Sequence, residues 1–292
     1  MKSFSLKTKE SLCKTVDGKS CCIEAEIMGF LMFAGRLSEG SIKVSSESRE
    51  ILKRIAVLIK RSCQAAVRVE EGKNNYFCVL PHKKLIDMVL MYETSEKSIL
   101  ELFAKDDCCK SAFLRGAFLG GGILVDPKKN YNLEFITSSI NVHDDFKNFL
   151  NEMGLEFKST KRKNNFILYS KQSDIICDVL TYIGAFAAQM EILNVKIERE
   201  MRNDWNRVAN SENANFDKVI TAAIRQIRAI EKIENTIGLD SLPDELTEIA
   251  RLRIKNKDLS LEALGSKLTP KLTKSGVNHR IKKILDIAEN KL

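Results

Sequence analysis

The chain has 292 residues and a net charge of +8, with 44% hydrophobic and 29% charged residues and only 4 prolines and 14 glycines. This length is typical of two domains, and the composition excludes wholesale disorder, collagen-like repeats and a proline-rich scaffold. No apolar stretch reaches the roughly 18 residues of a membrane span, and the polar N-terminus has no signal segment, so we expect a soluble, cytoplasmic protein without a membrane partner.

Eight cysteines and three histidines offer few metal ligands. The cysteines are too sparse for a disulfide scaffold, and no two of them have CxxC spacing. A closed zinc site would need ligands from distant segments. We therefore expect small, buried, unreactive thiols, with no metal and no other cofactor; a metal bound by cysteine is the alternative.

The first two-thirds of the chain contains an internal repeat. A Cys-Cys pair ending at Cys22, and another ending at Cys109, each stand two residues before an apolar segment, AEIMGFLMFAGRL in the first case and AFLRGAFLGGGIL in the second. The two copies span about 20–95 and 107–190. Each is predicted to contain a helix, a strand, a helix, a pair of strands and a final helix.

Small residues crowd the two apolar helices: Gly29, Ala34, Gly35, Gly116, Gly120, Gly121 and Gly122. A phosphate-binding loop would need a preceding strand and a following Lys-Ser or Lys-Thr pair, and neither is present. Small residues on facing helices permit close backbone approach. We therefore expect the two helices to pack together about a pseudo-twofold axis.

This arrangement, over about residues 20–195, resembles the LAGLIDADG homing-endonuclease fold with two copies in one chain. In that family, the acid before the final glycine of each motif binds the divalent metals that cleave DNA. Ala34 and Gly121 occupy that position here, and neither can coordinate magnesium, which takes oxygen ligands. The resemblance therefore implies the fold without the nuclease chemistry. Glu39 and Asp126, matched acids five residues further on, leave open a relocated metal site, although an Asp-Pro pair is typical of a turn.

A basic cluster in the second copy is the candidate for auxiliary DNA contacts: Lys158, Lys161, Arg162 and Lys163. Acids and bases balance outside residues 251–283. We therefore expect this surface to bind DNA weakly or to bind a protein partner, for instance another transcription factor.

Residues 199–238 form the predicted connector. An Asn-rich stretch (203–218) contains the only tryptophan, and an amphipathic helix follows. Its apolar residues keep helical spacing for some five turns: Phe216, Val219, Ile220, Ala223, Ile224, Ile227, Ile230 and Ile233. We expect packing within the chain to bury this stripe; burial against a second copy is the alternative.

The segment 239–292 is predicted to be a helix-turn-helix domain. Its apolar residues recur at helical spacing, Ser260 and Thr273 are good N-caps, and Pro270 interrupts the helical pattern between them. The stretch 251–283 holds ten lysines and arginines against two acids, which is the whole positive surplus of the chain. Such a patch indicates a polyanion partner, most often nucleic acid.

The last helix presents its polar and basic residues away from its apolar stripe: Lys274, Ser275, Asn278, His279, Arg280, Lys282 and Lys283. Asparagine can bond adenine edges, lysine and arginine can bond guanine, and lysines at the margins suit phosphates. We therefore predict that this face binds double-stranded DNA. The alternative is an amphipathic helix with solvated charges.

The degenerate repeat, the AFLRGAFLGGG segment, the Asn-Arg-Val-Ala-Asn stretch and the terminal TPKLTKSGVNHRIKKIL together resemble the WhiA family of bacterial regulators. The resemblance spans nearly the whole length, and SGVNHR is its most specific part. It implies an α+β protein, in which a two-copy LAGLIDADG homing-endonuclease-like domain of αββαββα type (1–198) precedes the connector and an all-α helix-turn-helix domain.

The same resemblance implies a function. The chain is expected to be a sequence-specific, nucleoid-associated transcriptional regulator without nuclease activity. Its role would be in cell division, chromosome segregation and, in spore formers, sporulation. Two alternatives remain open, a metal-dependent DNA endonuclease and a protein-binding adaptor with secondary DNA contact.

Overall fold

The computed structural model describes residues 2–15 and 18–290. They fall into two compact units, Met1–Arg199 and Glu200–Leu292, each with a hydrophobic core of its own. The two predicted domains also include five residues that lie outside the described ones: 1, 16, 17, 291 and 292. Within the described ranges, the structure has no helix that is both long and apolar enough to cross a membrane.

The first unit contains two copies of one αββαββα arrangement, as the resemblance to the LAGLIDADG fold implied. A helix, α1 (Phe4–Leu12), precedes the first copy, which consists of α2 (Ser20–Ala34), β1 (Gly35–Ser38), β2 (Ser41–Ser46), α3 (Arg49–Cys63), β3 (Glu70–Glu71), β4 (Tyr76–Leu80) and α4 (Lys83–Thr94). After the short helix α5 (Ile99–Leu102), the second copy consists of α6 (Asp107–Gly121), β5 (Gly122–Leu124), β6 (Leu133–Thr137), α7 (Ile140–Glu152), β7 (Lys158–Arg162), β8 (Asn165–Ser170) and α8 (Ser173–Ile183). The sheets have the matching strand orders β1-β2-β4-β3 and β5-β6-β8-β7, with antiparallel neighbours.

The strands β1 and β5 are absent from the element pattern predicted for each copy. Each begins at the residue directly after the last residue of the apolar helix, because Gly35 and Gly122 have extended backbone angles (φ −80°, ψ 143° and φ −75°, ψ 139°). No turn signal therefore separates helix from strand. The strands are also only four and three residues long, too short for a period-two pattern.

The apolar helices α2 and α6 pack against each other through their glycines, which confirms the predicted helix pairing. A Cβ atom on Gly29 would overlap the carbonyl oxygen of Phe113, and a Cβ atom on Gly116 would overlap that of Glu26. The two contacts are equivalent under the repeat. Glycine at these positions lets the two backbones approach more closely than any other residue allows.

A buried ionic network joins the two copies beside this helix pair. Glu26 Oε1 lies 2.5 Å from Arg54 Nε, and Glu26 Oε2 lies 2.9 Å from Arg115 Nε. Arg115 also donates to the carbonyl oxygen of Ile183 at 3.2 Å. The carboxylate thus links α2 and α3 of the first copy to α6 of the second. Breaking such a pair by removing one partner is costly, because it leaves a buried charge uncompensated.

The predicted connector differs from expectation in two ways. A single helix, α9, extends over Phe186–Thr236 and includes the Asn-rich stretch, since neither glycine nor proline interrupts it. The apolar stripe is only partly buried. Ala223, Ile230 and Ile233 are buried, whereas Phe216 is 63% exposed. The C-terminal part of α9 therefore contributes to the core of the second unit, while the expectation that packing within the chain buries the whole stripe is wrong for Phe216.

The second unit is all-α, as predicted. After a 3-10 turn at Leu239–Ser241, it continues with α10 (Asp244–Lys255), α11 (Leu261–Gly265) and α12 (Lys274–Asn290). Its core combines side chains from all of these helices with the end of α9: Ile230, Ile233, Leu246, Ile249, Leu264, Val277, Ile281 and Ile284.

Candidate nucleic-acid interface

The short helix α11 and the longer helix α12 begin at the predicted caps. Ser260 Oγ accepts a hydrogen bond from the backbone N–H of Ala263 at 3.2 Å, and Thr273 Oγ1 accepts one from that of Gly276 at 3.3 Å. Side-chain oxygens at the N-cap satisfy N–H groups that have no partner within the helix. The two caps therefore fix where each helix starts.

The turn between α11 and α12 is held against the end of α11. The backbone N–H of Leu272 donates to the carbonyl oxygen of Gly265 at 3.0 Å, and a Cβ atom on Gly265 would overlap the carbonyl oxygen of Leu272. The turn includes Pro270, whose preceding peptide bond is cis. The hydrogen bond and the close approach of Gly265 to Leu272 set the start of α12 relative to α11.

One face of α12 packs into the core and the opposite face is open. Val277, Ile281, Ile284 and Ala288 are buried. Six of the seven predicted DNA-binding residues are exposed and form a continuous surface at helical spacing, here called the α12 stripe: Lys274, Ser275, Asn278, His279, Lys282 and Lys283. These side chains can enter a groove without disturbing the core.

Arg280, the seventh predicted residue, is only partly exposed and contacts α10. Its Nη2 atom is 3.2 Å from Glu245 Oε2 on α10, and its Nη1 atom donates to the Glu245 carbonyl oxygen at 3.4 Å. The side chain is only 21% exposed. Arg280 therefore holds α12 against α10, and its charge is partly compensated within the unit.

Another arginine of the basic stretch 251–283, Arg253, is buried. Arg253 is 1% exposed, and its Nη1 atom donates to the carbonyl oxygen of Leu259 at 2.7 Å. Burial lowers the pKa of Arg253 below its usual value. Arg253 thus fixes the loop between α10 and α11 and does not add to the basic surface. Its position after Ile249 and Ala250, in line with the buried stripe of α10, is the sequence signal that could have revealed this role.

The auxiliary basic cluster lies on the edge strand β7, which is exposed along its whole length, and in the turn that follows. Lys158 and Arg162 point to the same face of the sheet, because alternate strand residues share a face, whereas Lys161 points to the other. Lys161 Nζ lies 4.9 Å from the centre of the Phe166 ring, and Arg162 Nη2 lies 3.8 Å from Glu134 Oε1. Lys163 stands in the hairpin turn with φ 56°. The four residues are therefore neighbours along the edge but not one flat surface.

The two positions that hold metal-binding acids in the LAGLIDADG family end the paired helices. Ala34 is the last residue of α2 and Gly121 the last of α6. A Cβ atom on Gly121 would lie 2.6 Å from the carbonyl oxygen of Ile136 and 2.7 Å from Cδ1 of Phe33. An acid at position 121 would thus require the neighbouring strand to move.

The acids considered for a relocated metal site both stand in turns. Glu39 has φ 48° in the turn between β1 and β2, and Asp126 Oδ1 accepts a hydrogen bond from the backbone N–H of Lys128 at 2.9 Å. The latter is the side-chain bond of an Asx turn. In the described part of the chain, the one group of three or more neighbouring metal-ligand side chains consists of cysteines and includes neither acid.

Comparison with known proteins gives one family. The family models for the WhiA LAGLIDADG-like domain and the WhiA C-terminal HTH domain match residues 110–202 and 205–288. Two relatives, each described as a probable cell division protein WhiA, come from Alkaliphilus metalliredigens and Caldicellulosiruptor saccharolyticus. They are 36% and 40% identical to this chain, over 98% of it and over 98% and 95% of their own lengths.

Comparison with solved structures identifies the same family. The crystal structure of full-length DUF199/WhiA from Thermotoga maritima has a TM-score of 0.64 at 29% identity, covering 99% of this chain and 98% of its own. That of the N-terminal LAGLIDADG domain of DUF199/WhiA has a TM-score of 0.53 at 22% identity, over 63% of this chain and 91% of its own, and shows the shared fold. Since the similarity extends over almost the entire length and includes both domains in the same order, the chain belongs to the WhiA family.

Proposed function

We propose that this protein is a sequence-specific, DNA-binding transcriptional regulator without nuclease activity, with a role in cell division, chromosome segregation and, in a spore-forming host, sporulation. The cell-division role rests on the names of its relatives. DNA recognition rests on one observation, the α12 stripe. It places an asparagine, a serine and three lysines on an exposed helix face whose opposite side is buried.

Within the α12 stripe, the residue types suggest different roles. Asn278 can make two hydrogen bonds to an adenine edge, while Lys282 can reach guanine or a phosphate. A base-reading residue changes the preference at one position of the site, whereas a phosphate-binding residue weakens all sequences alike.

We expect Asn278→Ala to lose discrimination at one base pair of the site, by about 1–3 kcal/mol. Lys282→Ala should weaken binding to every duplex. The measurement is fluorescence anisotropy of the full chain with a duplex selected from a random pool and with each of its single-base variants. Lys60→Ala, which removes an exposed lysine of α3, is the matched control for charge. Unchanged binding by both α12 variants would refute the assignment.

The absence of nuclease activity rests on Ala34 and Gly121, whose side chains offer no oxygen ligand to a metal. We expect supercoiled plasmid incubated with the full chain and magnesium to remain intact. Nicking that disappears in Glu39→Ala or Asp126→Ala would instead support the endonuclease alternative.

A protein partner of the N-terminal unit is a second candidate function, since the equivalent edge strands β3 and β7 carry opposite charges. The edge strand β3 presents Glu70 and Glu71, where β7 of the second copy presents its basic cluster. Such a pair of sheets does not offer one continuous basic surface to a duplex. A pull-down with the full chain that loses its partner when both glutamates are changed to lysine would support this function.

A further inference from the structure

Four of the eight cysteines converge at one end of the paired helices α2 and α6. Cys21 and Cys22 lie in the first turn of α2, and Cys108 and Cys109 in the first turn of α6. Their four Sγ atoms all lie within 4.8 Å of one another, although about 85 residues of chain separate the two pairs. The expectation that the thiols are all buried is wrong for Cys21 and Cys108, which are exposed.

The cluster follows the pseudo-twofold axis of the repeat. Each copy contributes one exposed cysteine, Cys21 or Cys108, and one buried cysteine, Cys22 or Cys109. The two pairs occupy equivalent positions in their helices, so the packing that brings the glycines together also brings the sulfurs together. The sequence spacing did not reveal the site, because the site has no CxxC pair and takes its ligands from two distant segments of the chain.

The geometry suits a single tetrahedral metal ion. Four thiolates at about 2.3 Å from a zinc ion lie about 3.8 Å from one another. The Sγ atoms of Cys108 and Cys109 are 4.0 Å apart, and the widest separation in the cluster does not exceed 4.8 Å. The sulfurs therefore need to move by no more than about 1 Å to reach ligand positions around zinc.

The chemistry of the ligands narrows the choice of ion. Four thiolates select zinc or iron–sulfur centres and disfavour magnesium and calcium, which take oxygen. A cluster of two or more irons would separate the thiolates further, because bridging sulfides and other irons lie between them. The compact set of sulfurs thus fits one ion.

The position of the cluster at two helix N-termini partly offsets the charge of four metal-bound thiolates. The first turn of a helix presents backbone N–H groups and the positive end of the helix dipole, which stabilise thiolates. Here two helices contribute this effect at one point. Zinc would replace the four thiol protons and leave a site with a formal charge of −2, which the two helix ends partly offset.

We propose that Cys21, Cys22, Cys108 and Cys109 bind one zinc ion, which links the two LAGLIDADG-like copies at the N-terminal ends of α2 and α6. The site has a structural role. It lies at the opposite end of each 15-residue helix, about 18–20 Å along the helix axis from Ala34 and Gly121, and all four protein ligands leave no open position for a substrate.

The test is metal content of the full chain, purified under reducing conditions and dialysed against a trace of zinc. We expect one zinc per chain by mass spectrometry of the metal. With cobalt instead of zinc, we expect the absorption bands of a tetrahedral thiolate site. Cys21→Ser/Cys108→Ser should lose both signals. This variant changes only the two exposed cysteines, so its fold is expected to persist, as circular dichroism would verify.

Cys13→Ser/Cys63→Ser is the matched control, because it also removes two thiols but from outside the cluster. It should keep one zinc. The proposal is overturned if the reduced parent chain retains no zinc while all eight thiols titrate as free, or if Cys21→Ser/Cys108→Ser still binds one equivalent. A disulfide within the cluster that forms in the presence of zinc would also overturn it.

Discussion

At the scale of single residues, Lys9 places its amino group in the protein interior, where a positive charge is unfavourable. Its side chain on α1 is buried, and Nζ lies 5.7 Å from the centre of the Phe118 ring. Burial lowers the pKa of Lys9 from 10.5 to about 8, and the carboxylate of Glu47 only partly offsets this. At neutral pH the folded protein therefore contains a protonated amine at a cost in stability.

We predict that Lys9→Met raises the free energy of unfolding by about 1–3 kcal/mol at pH 7. Between pH 8 and pH 10.5 the unfolded chain binds this proton and the folded chain does not, so the lysine parent gains stability as pH rises. The advantage of the variant should therefore shrink over that window. Urea unfolding of both proteins at pH 7 and near pH 10 measures the difference.

Lys7→Met is the control, because Lys7 is exposed on the same helix. It should have little effect at either pH. If Lys9→Met raised the free energy of unfolding by the same amount at both pH values, packing and not the buried charge would be responsible.

The buried lysine also shows where sequence reasoning fails at this scale. The sequence of α1 gives no sign that Lys9 is buried, whereas the position of Arg253 in line with the apolar stripe of α10 does indicate its burial. The α12 stripe was predictable because its apolar and polar residues alternate with the helical period over several turns. Burial of Lys9 depends on what packs over α1, which no pattern within α1 records.

At the scale of elements, Gly116 at the contact between α2 and α6 can be compared with Gly276 in α12. A Cβ atom on Gly116 would overlap the carbonyl oxygen of Glu26 and lie 2.8 Å from the amide nitrogen of Phe30. On Gly276, in α12, the nearest atoms are 3.7 Å away. The same substitution thus meets rigid backbone at one site and ordinary contact at the other.

We expect Gly116→Ala to destabilise the first unit by about 2 kcal/mol or more, because the helices must separate to admit the methyl group. Gly276→Ala should be neutral or stabilising by up to about 1 kcal/mol, since alanine favours helix. Thermal unfolding followed by circular dichroism measures both. Equal effects at the two positions would contradict the close approach of α2 and α6.

The element scale also separates what was predictable from what was not. The repeat predicted the paired helices, because small residues at matched positions of two apolar helices allow their backbones to meet. It did not predict β1 and β5, which start at a helix end without a turn. The Asn-rich part of α9 was assigned to a connector by composition, but 51 residues without glycine or proline form one helix.

At the scale of the whole molecule, basic residues are concentrated in two places. Residues 251–283 carry a charge of +8, and the edge strand β7 of the first unit carries the auxiliary basic cluster, whereas the edge strand β3 is acidic. Each phosphate contact by a lysine or arginine contributes about one unit to the slope of log K against log salt. The decrease in this slope on substitution therefore measures how many phosphate contacts the replaced residues make.

We predict that Lys274→Ala/Lys282→Ala/Lys283→Ala lowers this slope by about two to three units on a random-sequence duplex. Lys158→Ala/Lys161→Ala/Arg162→Ala removes the same charge from β7 and should lower the slope by less than about one unit. Anisotropy titrations of the full-length variants at several salt concentrations give both values. Equal decreases would assign DNA to both units, and a decrease confined to the β7 variant would transfer the main DNA surface to the LAGLIDADG-like domain. Because the two variants carry identical net charge, any difference between them reflects where the duplex lies and not the overall field of the protein.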